Sequence, residues 1–191
     1  MTAIKELLAH TCTARAAIDR IAAQAENDPA LFAELAAMTE ADDSTAAWHA
    51  AWALERIARR RPDLFEPMRS SVTRRAMEER RQGVQRLLLS ILNRMETPPE
   101  PDAGLLDFCL GGIRSPQLSI AARSLCIKLA CKLCRTHAPL AHELKLYLEY
   151  GDGDRLPAAV ATARRNALRM IERYTAETET ARKRTRIKKH I

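Results

Sequence analysis

One group of residues has the spacing of a metal site: Cys131, Cys134 and His137 follow one another at intervals of three. Thiolates and imidazoles are the ligands that zinc prefers in proteins. On a continuous helix, however, steps of three and six residues turn the second and third side chains about 300° and 240° away from the first. Because such side chains do not converge on one ion, we expect buried, reduced thiols here and no metal.

No residue pattern in the chain predicts catalysis. A glycine-rich phosphate loop, a His-Glu-x-x-His helix and a Gly-x-Ser-x-Gly turn are all absent from the sequence. His49 aligns with small or apolar residues in the internal repeat described below, which favours a partly buried histidine over a catalytic one. We therefore expect a protein that is not an enzyme, with no catalytic residue and no cofactor.

The two tryptophans of the chain, Trp48 and Trp52, are four residues apart and share one helix face. The better core stripe of this segment, which includes Leu54 and Ile57, runs beside them. Tryptophan is both a good core filler and a frequent anchor at protein interfaces. Two interpretations therefore stay open: the rings pack between neighbouring repeats, or they face a binding partner.

Arginine recurs at one position of the internal repeat, at Arg15, Arg86, Arg123 and Arg165. On stacked helices these side chains could form a line that binds phosphates or carboxylates of a partner. Alternatively, they form an internal ladder that binds acidic groups or helix ends. The segment 56–86 contains ten arginines and only four acidic residues. These arginines could form a basic patch, or they could simply lie on a solvated helix surface.

The net charge of +7 is concentrated at the C-terminus. Six basic residues lie among the last eleven: Arg182, Lys183, Arg184, Arg186, Lys188 and Lys189. The rest of the chain carries 25 basic and 24 acidic side chains, so its charge does not indicate a DNA-binding body. We expect a basic tail over residues 175–191, through which nucleic acid or an acidic protein could bind.

The elements that must position these residues follow from an internal repeat. The segment Arg15-Ala-Ala-Ile-Asp-Arg-Ile21-Ala22 is echoed by Ala51-Trp-Ala-Leu-Glu-Arg-Ile57-Ala58, and a Pro-x-Leu-Phe segment follows each. The anchor positions 15, 51, 86, 123 and 165 lie 36, 35, 37 and 42 residues apart. In this register Trp48 aligns with Gly83 and Trp52 with Leu87. Such a period indicates a supersecondary unit that stacks on copies of itself.

Apolar residues recur at helical spacing nearly everywhere, and turn residues divide the pattern into helices. Asp28-Pro29 and Asp43-Ser44 predict the starts of two helices that end near Met38 and Arg60. Residues 97–101 form a rigid, proline-rich link. Other helices are predicted over 2–25, from Pro62, and over 78–95, 102–113, 116–135, 139–150 and 156–174.

Composition also restricts the class of protein. Only six glycines and three phenylalanines occur, which disfavours a β-sandwich. No run of about 18 apolar residues is present, so we expect no membrane span, and the N-terminus lacks the apolar core of a signal peptide. The five cysteines are an odd number, and most lie in apolar helical patterns, which favours a reduced, cytoplasmic chain.

The predicted helices form pairs, with a proline at the start of the first helix and arginine in the second. In these features the chain resembles short bacterial HEAT-like repeat proteins, a family without an assigned activity. The resembling segments are Asp28-Pro29, Phe32-Ala-Glu-Leu35, Ala50-Ala-Trp52-Ala-Leu54, Arg61-Pro62-Asp-Leu64, Leu106-Asp-Phe108-Cys109 and Ala163-Arg164-Arg165. The resemblance implies an all-α, right-handed α-solenoid of about five helix pairs. We expect it to fill residues 1–174.

Two functions fit this interpretation. The first is a non-enzymatic scaffold that binds an unidentified protein partner through the concave row of second helices. The second is nucleic-acid binding, by analogy with DNA alkylation repair glycosylases, which are also built from HEAT-like helix pairs. That second function would require a carboxylate beside the tryptophans, and Glu55 is the candidate.

Overall fold

A computed structural model of the chain describes residues 15–150 and 156–188, with side chains described as far as Ala176. Helices dominate this part of the chain and no strand occurs in it, which confirms the predicted all-α class. Contacts divide the chain into two compact units, residues 1–96 and 97–191. The boundary coincides with the start of the proline-rich link. Residues 2–14 of the predicted first helix lie outside the described residues.

The described part of the first unit contains two helix pairs and one additional helix. Its elements are α1 (Arg15–Ala25), α2 (Pro29–Met38), α3 (Ser44–Ala58), a 3₁₀ segment (Pro62–Met68), α4 (Arg69–Glu78) and α5 (Gln82–Arg94). Helix α2 packs on α3 and α4 packs on α5, while α3 lies between α1 and α5. The second helices of successive pairs are therefore neighbours, as the repeat requires.

Two aspartates begin the helices that the sequence assigns to them. The Asp28 side chain accepts hydrogen bonds from the backbone N–H groups of Ala30 and Leu31 at 3.0 and 3.1 Å. Asp43 does the same for Thr45 and Ala46 at 2.8 and 3.1 Å. These carboxylates satisfy N–H groups that have no partner inside the helix, so the predicted helix starts are confirmed.

The predicted boundaries between residues 62 and 95 are partly wrong. The helix expected from Pro62 begins as a 3₁₀ segment, and Pro67 lies inside that segment. Proline lacks the N–H that a regular α-helix needs, so the α-helix starts only at Arg69. The helix predicted over residues 78–95 begins instead at Gln82, because Glu79 and Arg81 hold the chain in a turn.

The repeated Pro-x-Leu-Phe segments meet in space. Phe32 on α2 and Phe65 in the 3₁₀ segment contact each other edge to face, with ring centroids 5.1 Å apart and ring planes at 69°. Phe65 is fully buried and Phe32 is half-buried. An aromatic pair in this geometry stabilises the packing beyond the area that it buries. The same repeat position thus packs against its own copy in the next pair.

The second unit repeats the pairing. Its elements are α6 (Ala103–Arg114), α7 (Ile120–Leu133), α8 (Ala138–Glu149) and α9 (Ala158–Lys188). Helix α6 packs on α7 and α8 packs on α9, while α7 and α9 lie side by side. The sequence predicts that the last helix ends at Tyr174, but α9 continues beyond it and carries the backbone of the basic segment to Lys188.

Arginines of the second helices bind the ends of the first helices in this unit. The Nε of Arg123 on α7 donates to the carbonyl of Ile113 near the end of α6, at 2.9 Å. Arg164 on α9 donates to the carbonyls of Leu148 and Glu149 at the end of α8. Terminal carbonyls carry partial negative charge and lack helical partners, so these contacts fix each pair internally.

The buried carboxylate of Glu79 joins the loop between α4 and α5 to the loop that follows α2. Glu79 accepts hydrogen bonds from Arg75 at 2.8 Å and from both the backbone and the guanidinium of Arg81. Arg81 also donates to the carbonyls of Thr39 and Ala41 beyond α2. Burial alone would raise the pKa of Glu79, but the hydrogen bonds from Arg81 and the charges of both arginines outweigh burial and hold that pKa below its usual value.

We expect Glu79→Gln to lower the free energy of unfolding at pH 7 by about 2 kcal/mol, because two partly buried guanidiniums lose their counter-charge. Since the folded-state pKa of Glu79 lies below its unfolded-state value, its contribution is present above the ordinary carboxyl pKa and is lost as the pH falls. Urea unfolding at pH 7 and between about pH 5 and 3 measures both effects.

The neighbouring substitution Glu78→Gln is the matched control. Glu78 pairs with Arg74 on the surface, where both side chains are more than half exposed. Removing such a pair changes stability by less than about 1 kcal/mol. Equal effects of the two substitutions, or an acid dependence that survives Glu79→Gln unchanged, would contradict the role assigned to Glu79.

Candidate functional site

The two tryptophans lie on α3, the middle helix of the first unit. Trp48 and Trp52 are both half-buried, and their rings contact each other with centroids 5.1 Å apart and planes at 41°. The apolar residues predicted to form the core stripe beside them, including Leu54 and Ile57, are buried. The tryptophans thus have one packed face and one accessible face. This arrangement is intermediate between the two interpretations that the sequence left open, packing between repeats and facing a partner.

Trp48 packs against the start of α5 at a glycine. A Cβ atom added to Gly83 would lie 2.9 Å from Cδ1 and 3.2 Å from Nε1 of Trp48, closer than ordinary contact allows. The ring of the next residue, buried His49, also lies 5.1 Å from that of Trp48. The sequence indicates this contact only through the repeat alignment of Trp48 with Gly83, and it does not show that a side chain there would displace the ring.

Glu55, the carboxylate next to the tryptophans in sequence, is buried between α3 and α5. It accepts hydrogen bonds from Arg59 at 2.9 Å, from the Ser90 hydroxyl at 3.0 Å and from Arg94 at 3.2 Å. Burial alone would raise its pKa, but these hydrogen bonds and the two arginine charges outweigh burial and hold it below the usual value. A carboxylate that is charged, buried and bound on several sides holds helices together and is poorly placed to act on a ligand.

An acidic residue of α1 joins that helix to α3. Asp19 accepts a hydrogen bond from Arg56 at 2.6 Å and lies 3.7 Å from Arg15. The predicted ladder residue Arg15 is 73% exposed, so its ion pair is weak. Asp19 and Glu55 therefore each serve two guanidiniums, and this row of helices carries more positive than negative charge.

Among the described side chains of this row, Arg20 of α1 and Arg86 of α5 form no ion pair, and Arg20 is exposed. Arg86 is the more enclosed of the two. It is half-buried on α5, one turn after Gly83, and forms no hydrogen bond or ion pair with any other residue whose side chain is described. Trp48 contacts Gly83 and Glu55 contacts Ser90, so facing positions of α3 and α5 are 35 residues apart. With this offset, Trp52 lies level with Leu87, the residue that follows Arg86. We call Trp48, Trp52, Gly83 and Arg86 the tryptophan surface.

The predicted basic patch between residues 56 and 86 is largely neutralised. Arg56 pairs with Asp19 of α1, and Arg60 pairs with Glu26, which directly follows α1. Both acidic residues precede the segment 56–86 in the sequence. The other paired arginines of the patch are Arg59, Arg61, Arg69, Arg74, Arg75 and Arg81. Within the described part of the chain, only Arg80 and Arg86 of this patch lack an acidic partner. A continuous basic patch is therefore not formed.

The remaining predicted contact residues have mixed environments. Arg123 binds the carbonyl of Ile113, as the internal alternative expects, whereas exposed Arg165 donates to Thr162 at 3.1 Å. The six basic residues of the tail lie beyond the last described side chain. Their role as a partner or nucleic-acid contact stays a prediction.

The cysteine and histidine segment is internal. Cys131 and Cys134 are buried, and the Cys131 thiol lies 2.7 Å from the Tyr174 hydroxyl. Nε2 of His137 lies 3.3 Å from the carbonyl of Pro99. Among the described residues, no cluster of side chains has the arrangement of a metal site. The described helices also include none with the length and apolarity needed to cross a membrane.

Comparison with known proteins assigns the repeat. A family model described as a HEAT repeat domain matches residues 4–171. The chain belongs to this family. The match covers the paired helices of both units, so the predicted HEAT-like helical repeat is confirmed. No curated protein and no solved structure shows a significant match to the chain.

Gly83→Ala tests the packing of the tryptophan surface. Replacing a helical glycine by alanine ordinarily stabilises a protein by about 0.5–1 kcal/mol. At Gly83 we expect no such gain, and we expect the emission of the tryptophans to change, because the new methyl group displaces the Trp48 ring. Denaturant unfolding and intrinsic fluorescence measure the two effects.

Gly111→Ala on α6 is the control, since a Cβ there would have no neighbour within 4 Å. It should show the ordinary gain of about 0.5–1 kcal/mol without a change in emission. If Gly83→Ala behaved in the same way, Trp48 would not be held against α5 as described.

Proposed function

We propose that this HEAT repeat protein is a non-enzymatic scaffold that binds a protein partner through the exposed side of α1, α3 and α5. The observation that carries the proposal is the tryptophan surface, where two half-buried rings contact each other and the Trp48 ring packs at Gly83 of α5, one turn before Arg86, an arginine without a described partner. Tryptophan and arginine are the residue types most enriched at the energetic centres of protein interfaces.

The surroundings of the rings favour binding over chemistry. Glu55, the carboxylate that an enzyme acting beside the tryptophans would use, is buried and occupied by Arg59, Ser90 and Arg94. The ion pairs around the rings hold one helix to the next and so preorganise the surface. A rigid, preformed surface binds a partner without the entropic cost of ordering it.

The proposed setting is a reducing compartment such as the cytoplasm. Four cysteines of the second unit, Cys109, Cys126, Cys131 and Cys134, are buried as free thiols. Burial raises the pKa of Cys134 to about 11, which disfavours the reactive thiolate. Such thiols pack in the core as small apolar side chains.

Trp52→Ala is expected to remove partner binding while preserving the fold. A side chain at an interface centre contributes about 2 kcal/mol or more to binding, which corresponds to about 30-fold in affinity. A half-buried ring should cost less stability than the roughly 3–5 kcal/mol of a fully buried one. The measurement is affinity purification from the source cell with quantification of co-purifying proteins, beside urea unfolding.

Tyr150→Ala is the matched control, because Tyr150 is 83% exposed and lies in the second unit. A specific partner should disappear with Trp52→Ala and remain with Tyr150→Ala. If Trp52→Ala destabilised the protein as much as a core substitution, or if no protein depended on Trp52, the proposal would fail.

Nucleic-acid binding is the second candidate, favoured by the helical backbone that α9 provides for the basic segment as far as Lys188. Any such affinity should come from the tail. Deletion of residues 181–191 should then make the dependence of log affinity on log salt less steep, by about 0.9 for each phosphate of duplex DNA that the tail had neutralised. An unchanged slope in the truncated protein would place nucleic-acid binding on the helical repeats.

A further inference from the structure

The charges around the tryptophan surface are unequally matched. On α1 and α3, Asp19 serves both Arg15 and Arg56. Glu55 likewise serves both Arg59 and Arg94, joining α3 to α5. Each carboxylate thus neutralises one of two guanidiniums, and the described side chains leave this side of the unit positive. A partner that binds here gains from negative charge.

Arg86 gives that positive charge a specific position. Its guanidinium has five N–H donors, none of which is used by a described side chain or backbone group. The residue lies on α5 between Gly83, which touches Trp48, and Leu87, the position level with Trp52. A planar anion at Arg86 would therefore lie next to the tryptophan rings. A carboxylate matches a guanidinium with two parallel hydrogen bonds.

The ring arrangement favours an apolar side chain over a nucleobase as the neighbour of that anion. The rings of Trp48 and Trp52 contact each other, with centroids 5.1 Å apart, and Trp48 also packs at Gly83, so a base could not insert between the two rings. Arg56, Arg59 and Arg94 are bound to Asp19 or Glu55 and so are not available to form a continuous row of cations along a phosphate backbone. One anion beside an apolar platform fits a peptide better.

We propose that the tryptophan surface binds an acidic segment of the partner protein, with an aspartate or glutamate on Arg86 and an adjacent apolar side chain on the Trp48–Trp52 pair. The proposal rests on the proposed scaffold function and specifies the chemistry of the partner. Association should be strongly weakened by salt, because charge complementarity steers it.

The tryptophans provide a direct measurement, because they are the only two in the chain. The probe is a short synthetic peptide in which leucine alternates with pairs of glutamate, titrated into the full-length protein while intrinsic fluorescence is recorded. Its glutamine analogue tests the need for negative charge. An oligothymidine of similar length tests the nucleic-acid alternative at the same rings.

Arg86→Gln is expected to weaken binding of the acidic peptide by about tenfold or more, the size of a charge-assisted hydrogen-bonded pair. Arg169→Gln is the matched control, because it removes the same charge from an exposed position of α9 and should change affinity less than about twofold. Trp52→Phe should retain more affinity than Trp52→Ala. Far-ultraviolet circular dichroism verifies that each variant is folded.

Three results would overturn the proposal: no change in emission with the acidic peptide, equal decreases in affinity for Arg86→Gln and Arg169→Gln, or tighter binding of oligothymidine than of the peptide at the tryptophans. A partner captured from cells in a Trp52-dependent manner would still support the scaffold function in each case. Failure of the acidic-segment proposal is thereby distinguished from failure of the proposed function itself.

Discussion

The buried carboxylate of Glu55 is the contact on which the geometry of the first unit depends. It lies between α3 and α5 and is bound by Arg59 of its own helix and by Ser90 and Arg94 of the next. A charge placed there cannot be left without partners, so the two helices are restricted to the offset that satisfies it. The same offset brings Trp48 onto Gly83. The tryptophan surface is therefore positioned by an ion pair that it does not itself contain.

Arginine has a different role in this protein from the one its abundance indicates. Some guanidiniums bind carboxylates of a neighbouring helix, as Arg56 binds Asp19, and others bind carbonyls at helix ends, as Arg123 and Arg164 do. Such contacts join short helices that each pack mainly on their neighbours. Because most of the cations in the central patch are used in this way, net charge says little about binding. Arg86 is informative because it is one of the exceptions among the described residues and lies one turn after Gly83, where Trp48 packs.

The sequence predicts those features that depend on residues close together in the chain or related by the repeat. The caps Asp28 and Asp43, and the helices that they begin, follow from local hydrogen bonding. The alignment of Trp48 with Gly83 follows from the period. Partners that lie in different repeats and out of register are not predictable in this way. Asp19 and Glu26 neutralise Arg56 and Arg60 from more than thirty positions away, which a charge window cannot detect. Glu79 and Arg81 likewise delay the start of α5 through side-chain contacts that periodicity does not encode.

A repeat becomes a site where neighbouring copies carry unlike residues at the same position. Trp48 requires a glycine in the next copy, and Gly83 supplies it. In the second unit, the repeat positions equivalent to Trp48 are occupied by Ile120 and Thr162. Both are exposed, and neither can form an aromatic platform. Trp52 likewise corresponds to Ser124 and Asn166 there, whose polar side chains would not offer an apolar surface. The recurring arginine shows the same divergence, because Arg123 is bound to a helix end whereas Arg86 is not. Scaffold and binding surface thus arise from one repeat pattern, and the departures from that pattern in the first unit carry the proposed function.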